Sequence, residues 1–159
     1  MPVTPVPAAL APTRAAVETR LATVPDPELP VVSIVELGMV HEVAVDDERI
    51  TVTLLPTFIG CPAIDLVREA VHGALTDLGR PVTVETSFVV PWTSDRISPT
   101  GLANLAAAGI APPTDPADVH CPYCASGRVV MDNSFGPTPC RSLFYCRDCR
   151  QPFEALKRL

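Results

Sequence analysis

The chain reads as an α+β protein: a small domain of helices around a three-stranded sheet, followed by a C-terminal four-cysteine ribbon. Three observations predict this. Two runs of alternating polar and apolar residues, His41-Glu42-Val43-Ala44-Val45 and Arg49 to Leu55, flank Asp46-Asp47-Glu48, the pattern of a β-hairpin. Residues 62–78 place Ile64, Val67, Val71, Ala74, Leu75 and Leu78 on one helical face, with most of the charged residues on the others. Finally, Cys121/Cys124 and Cys146/Cys149 form two CxxC pairs separated by twenty-one residues, close to the spacing of a zinc ribbon.

The elements follow in order. Residues 1–12 hold four prolines and little periodicity, so they are expected to be disordered. Thr13 caps a short helix to about Thr23, with Ala16, Val17 and Leu21 on its apolar side. Pro25-Asp26-Pro27-Glu28-Leu29-Pro30 ends it in a rigid acidic turn, since proline blocks helix continuation. Residues 31–40 form an ordered connector into the hairpin. After the 62–78 helix, Gly79 stands at the expected C′ position, and 81–89 is a third strand. Pro91-Trp92-Thr93-Ser94-Asp95 is a loop anchored by the chain's one tryptophan. Ser98 and Pro99 start a helix that ends near Gly109. The domains are therefore 13–110 for the α+β unit, a Pro-rich linker at 111–116, and 117–159 for the ribbon module.

Composition narrows the function. A hydrophobic content of 47% supports a real core, and a net charge of −6 with pI near 4.9 argues against a nucleic-acid binder, which needs a basic footprint. The charge divides unevenly, −8 over residues 1–116 and +2 over 117–159, and even the ribbon has no basic stripe. The N-terminus lacks the charged and apolar regions of a signal peptide, and no apolar run approaches a membrane span. The expectation is a cytoplasmic protein without membrane or nucleic-acid partners, in which clustered cysteines signal metal or catalysis rather than disulfides.

Leu54 to Ile64 reads as a strand end, a tight loop and a helix start. Pro56 closes the strand, Gly60 supplies the turn, and Pro62 suits the first helical position. Cys61 then lies near the N-cap, where unpaired N–H groups and the helix dipole favour a thiolate. A small buried hydrophobe is the alternative reading of the same residue.

In the ribbon, two residues between cysteines let both thiolates reach one ion from a tight turn, and two such turns complete a tetrahedral shell. About forty residues cannot build a core unaided; metal binding supplies the missing free energy, on the order of 10 kcal/mol. Zinc on Cys121, Cys124, Cys146 and Cys149 is the expected occupant. A redox role for Cys121-Pro-Tyr-Cys124 lacks the βαβ context and ignores the second pair. Iron or a cluster remains open for a four-cysteine site. Cys140 and His120 are read as spare, and His41 and His72 as solvated histidines.

Asp26-Pro-Glu-Leu, Val32 to Val40 and Thr57-x-x-x-Cys61-Pro62 resemble the iron–sulfur assembly domain of SufT-like proteins. Pro91 to Asp95, Gly109-Ile-Ala-Pro-Pro113, the CxxC pairs, Ser134-Phe-Gly-Pro-Thr138 and Gln151-Pro-Phe153 resemble the PaaD subunit of phenylacetyl-CoA epoxidase, over roughly residues 13–157. This resemblance implies an αββαβα-type domain with a three-stranded sheet, a C-terminal zinc ribbon and a place in phenylacetate degradation. It implies an accessory protein, not the epoxidising enzyme, that assists iron–sulfur cluster or iron-centre maturation. Its implied partners are the reductase, the di-iron oxygenase and the iron–sulfur assembly machinery. By position, Cys61 becomes the functional thiol, a ligand for transient iron or an iron–sulfur cluster, and Cys121, Cys124, Cys146 and Cys149 the ribbon ligands. Ala125-Ser126 stands where glycine often follows a zinc knuckle. Two other functions stay open: a thiol enzyme with Cys61 as nucleophile, which needs a base in reach, and a purely structural subunit.

Overall fold

A computed structural model describes residues 12–159. Except for Pro12, the disorder expected over 1–12 lies outside the described residues. The first domain runs α1 (Arg14–Leu21), β1 (Val40–Val45), β2 (Ile50–Leu54), α2 (Ile64–Leu75), β3 (Val82–Thr86) and α3 (Pro99–Ala107). The sheet order is β1-β2-β3. The β1–β2 hairpin is antiparallel, and β3 returns parallel to β2 through α2.

Local chemistry sets each boundary. Thr13 caps α1 by accepting from the Ala16 N–H at 3.2 Å, and Ser98 caps α3 by accepting from Gly101 at 3.0 Å, satisfying N–H groups with no partner inside the helix. Asp46 Oδ1 accepts from the Glu48 and Arg49 N–H groups, both at 2.8 Å, and so closes the hairpin turn. The acidic turn after α1 is stiffened in the same way, with Asp26 Oδ1 accepting from Glu28 at 2.9 Å and Leu29 at 2.8 Å. Ser33 and Glu36 exchange backbone–side-chain bonds at 2.7 and 3.1 Å, which orders the connector. The α2 face that buries Val67, Val71 and Leu75 packs on β3, and its last turn tightens into a 3-10 segment before Gly79. β3 stops short of the expected 89: Ser87 donates the last sheet bond to the Leu54 carbonyl at 2.9 Å, and Phe88 to Val90 leave the sheet exposed.

The second sheet holds β4 (Ile110–Thr114), β5 (Val129–Asn133), β6 (Arg141–Cys146) and β7 (Pro152–Lys157), in the order β4-β7-β6-β5. The segment read as a linker at 111–116 thus forms most of a strand. Pro112 and Pro113 lack N–H donors, which an edge strand tolerates, and the register of β4 on β7 shifts between Ala111 and Thr114. The modules share apolar packing. Cys140 and Leu156 belong to the main core with Leu37, Val43 and Trp92, whereas Phe144, Phe153, Cys121 and Cys146 form a smaller cluster inside the ribbon. The Trp92 loop is fixed to the first domain, its Nε1–H donating to the Leu37 carbonyl at 2.8 Å.

Candidate functional site

Two groups of side chains carry chemistry. The first is the ribbon cluster. Cys121 and Cys124 come from the turn before β5, Cys146 from the end of β6 and Cys149 from the turn into β7. Their four sulfurs lie within 4.8 Å of one another, with Cys121–Cys149 at 3.5 Å and Cys124–Cys146 at 3.6 Å. A tetrahedral shell at about 2.3 Å from a metal has sulfur–sulfur edges of about 3.8 Å, so the four thiols fit one ion. The N–H groups of Cys149 and Asp148 hold the Cys146 thiol down to about 7. Burial and the neighbouring thiols push Cys149 up to about 12. A cation reverses that penalty by replacing the proton. His120 stays out of the set, its Nδ1 bonded to the Asp118 carbonyl at 2.8 Å.

The knuckles solve the missing glycine by strain. Ala125 and Arg150, one residue after each CxxC pair, both take left-handed backbone angles, φ 58° and 59°. Ala125 N–H donates to the Cys121 carbonyl at 2.8 Å, and Cys121 N–H to the Ser126 carbonyl at 2.9 Å. Asp148 ties the two knuckles together by accepting from Ser126 Oγ at 2.5 Å and from Arg128 at 2.7 Å.

The second group surrounds Cys61, and here two sequence expectations change. The helix begins at Ile64 with Ala63 at its N-cap, so Pro62 precedes the helix. A turn in which Cys61 N–H donates to the Phe58 carbonyl and Ile64 N–H to the Cys61 carbonyl, at 3.1 and 3.3 Å, displaces the start by two residues. Nor is the thiol easily ionised. Burial pushes Cys61 up, the Ala63 N–H pulls it partly back, and Glu28, Asp26 and Cys140 push it up further. The charged groups that act on the thiol are acids, and with burial they outweigh what the Ala63 N–H contributes.

Sequence reasoning missed these neighbours as site residues. Asp26 and Glu28 come from the proline-braced turn after α1; each is raised from its ordinary value, first by burial. Cys140 comes from the loop between β5 and β6, is 7% exposed, and is likewise pushed up by burial. With Thr57 and Trp92, Asp26, Glu28 and Cys140 line a cavity of about 10 Å³ at the junction of the modules, the room one water molecule needs. The only advance signal for Cys140 was negative: it belongs to neither CxxC pair. His41 and His72 are both exposed and are absent from the groups acting on Cys61; His72 contacts Thr76 at 3.3 Å. Beside the site lies an apolar groove of about 330 Å³, walled by Phe58, Ile59, Phe88, Val90 and Trp92.

Among the described residues no helix is long and apolar enough to cross a membrane. Residues 14–86 match the family described as iron–sulfur cluster assembly protein, and residues 108–157 the PaaD zinc beta ribbon domain. The chain is 37% identical to a 1,2-phenylacetyl-CoA epoxidase subunit from Escherichia coli, over 86% of this chain and 88% of that one. It is 40% identical to the Fe-S protein maturation auxiliary factor YitW of Bacillus subtilis, over 49% of this chain and 78% of that one. Among solved structures, the DUF59 domain from Bacillus anthracis superposes with a TM-score of 0.54 at 29% identity, covering 57% of this chain and 89% of that one. An assembly domain whose last helix runs directly into a four-cysteine ribbon, matched along most of its length in this way, belongs to the PaaD family of phenylacetyl-CoA epoxidase proteins.

Proposed function

We propose that this protein is an accessory factor that assists maturation of the iron–sulfur cluster or di-iron centre of a phenylacetyl-CoA epoxidase complex, holding its iron cargo through Cys61. The observation that carries this reading is the company Cys61 keeps: two carboxyl groups and a second thiol act on its sulfur and share one crevice. Such a setting opposes a free thiolate and favours a cation, because a positive charge relieves both the burial of the acids and their mutual repulsion. It disfavours the thiol-enzyme alternative, whose nucleophile needs activation; burial and the neighbours that act on Cys61 push its thiol up instead of down. The accessory role is supported by the relatives named as maturation factors.

In this reading the chain's own residues divide the work. Asp26, fixed by the Glu28 and Leu29 N–H groups, presents a carboxylate to the crevice. Cys61 binds the cargo at a half-buried position. The apolar groove next to it seats the client, a reductase or oxygenase subunit. Cys121, Cys124, Cys146 and Cys149 hold a structural zinc, which supplies folding free energy to a module with little core. The protein acts in the cytoplasm together with the iron–sulfur assembly machinery, and residues 13–110 and 117–159 are its two working units.

The test is complementation of a deletion strain with Cys61→Ala. The variant is expected to stay folded and keep its ribbon metal, while phenylacetyl-CoA epoxidation and the cluster or di-iron content of the isolated client fall sharply. Full complementation overturns the cargo role of Cys61. Lost epoxidation with both client centres fully loaded assigns the protein to a structural role in the complex.

A further inference from the structure

The two edges of the three-stranded sheet differ. β1 has a register irregularity between Val40 and Glu42, the kind of kink that discourages addition of a further strand. β3 has none: Val82 to Thr86 run in unbroken register along β2, and no strand lies on the far side of β3 among the described residues.

The pairing fixes which backbone groups are left over. Ile50 N–H donates to the Pro81 carbonyl and Ser87 N–H to the Leu54 carbonyl, both at 2.9 Å. Alternate residues of a strand bond the same neighbour, so Thr83 and Glu85 face β2. The N–H and C=O groups of Val82, Val84 and Thr86 therefore point away from it. Among the described residues these groups meet one long contact, Arg68 Nη2 to the Val84 carbonyl at 3.4 Å.

Two surfaces continue this edge. Beside Val82 to Val84 lies an open trough of about 590 Å³, whose other wall is α2 with Asp65, Arg68, Glu69 and His72. Past Thr86, the chain turns through Ser87 and Phe88 into the apolar groove beside Trp92, where Phe88 is 62% exposed. A strand laid on β3 thus passes from an acidic section, with Asp65, Glu69 and Glu85 against Arg68 alone, into an apolar one. That order selects a guest that is basic along its length and apolar at one end. A second copy of this chain is the poorer match, because it brings the same carboxylates against themselves and carries a net charge of −6.

We propose that the open edge of β3 is the docking strand for the client: an extended, basic segment of the client protein joins the sheet as its next strand. It exchanges backbone bonds with Val82, Val84 and Thr86 and places its apolar end in the groove beside Phe88 and Trp92. This rests on the reading that the groove seats the client, and it is independent of what Cys61 holds. The backbone bonds set the register of the guest; the carboxylates of α2 and the apolar groove select its sequence.

The experiment follows residue-resolved amide exchange of the full, zinc-loaded chain, alone and with the purified reductase or oxygenase subunits of the complex. In the free chain the amides of Val82, Val84 and Thr86 are expected to exchange fast and those of Thr83 and Glu85 slowly. Bound client is expected to slow the fast set at least about tenfold, erasing the alternation. Thr86→Pro removes an outward N–H but no bond to β2, and proline is tolerated on such an edge. With circular dichroism and zinc content unchanged, its client affinity is expected to fall at least about tenfold. Asp65→Asn with Glu69→Gln is expected to weaken binding and flatten its salt dependence. Client that binds while Val84 and Thr86 still exchange fast overturns the proposal and leaves the groove reading standing. Binding by neither subunit overturns both. Slowing that grows with the concentration of this chain alone identifies a second copy as the guest and overturns the proposal. Should Thr86→Pro not fold, the alternation in the wild type decides by itself.

Discussion

Ala125 and Arg150 occupy the same strained backbone state, φ 58° and 59°, at equivalent positions one residue after each CxxC pair. Left-handed angles cost an L-residue about 1–2 kcal/mol that glycine does not incur, although glycine gives part of this back through the freedom it has in the unfolded chain. Ala125→Gly and Arg150→Gly are each expected to stabilise the ribbon by about 0.5–1 kcal/mol. Denaturant midpoints of the metal-loaded protein check this; a fall in both midpoints contradicts the strain at these positions.

Arg141 is buried beside Glu154 and Thr138. Removing the guanidinium leaves a partly buried carboxylate without its partner, so Arg141→Met is expected to cost about 2 kcal/mol. The double variant Arg141→Met with Glu154→Leu should recover most of that loss, because no uncompensated charge remains. A double-mutant cycle on unfolding free energy measures it, and strict additivity would show the pair to be uncoupled.

The turn acceptor Asp46 has its pKa lowered from 3.8, first by the Glu48 N–H and then by that of Arg49. For a carboxyl group depressed on folding, the stabilisation is complete above the unfolded value and is lost as pH falls through the lower, folded one. The stability advantage of the wild type over Asp46→Ala is therefore expected to hold at neutral pH and to shrink below about pH 4. Asp46→Asn keeps an acceptor oxygen but has no proton to gain, so its advantage over Asp46→Ala should stay constant with pH. Urea titrations of the three proteins across the acid range decide between these outcomes.

Withdrawing the ribbon metal removes on the order of 10 kcal/mol from a module with a small core. Amide exchange after chelation, or in Cys146→Ser with Cys149→Ser, is expected to show β5, β6 and β7 losing protection while β2 keeps it. Simultaneous loss in β2 would make the chain one cooperative unit and overturn the division at 110–117.

Much of the fold is written locally. The β1–β2 alternation, the single apolar face of α2, and Thr13 and Ser98 as caps depend on side-chain period and near-neighbour hydrogen bonds, which sequence spacing carries directly. The same holds for the four ribbon cysteines, since two CxxC turns each define half a tetrahedron before any tertiary contact forms. What spacing could not carry is whatever depends on a partner distant in sequence. Pro112 and Pro113 look like a linker until β7 offers an edge on which missing N–H groups cost nothing. Cys61 looks like an activated thiol until burial and the charges of Asp26 and Glu28 are counted, because a pKa follows the field of neighbours in space. Cys140 looks spare until the docked ribbon carries it to the crevice of the assembly domain. Helices, strands and metal knuckles are short-range objects and were legible; the charge around Cys61 is a long-range sum, and only the packing of the two modules decided it.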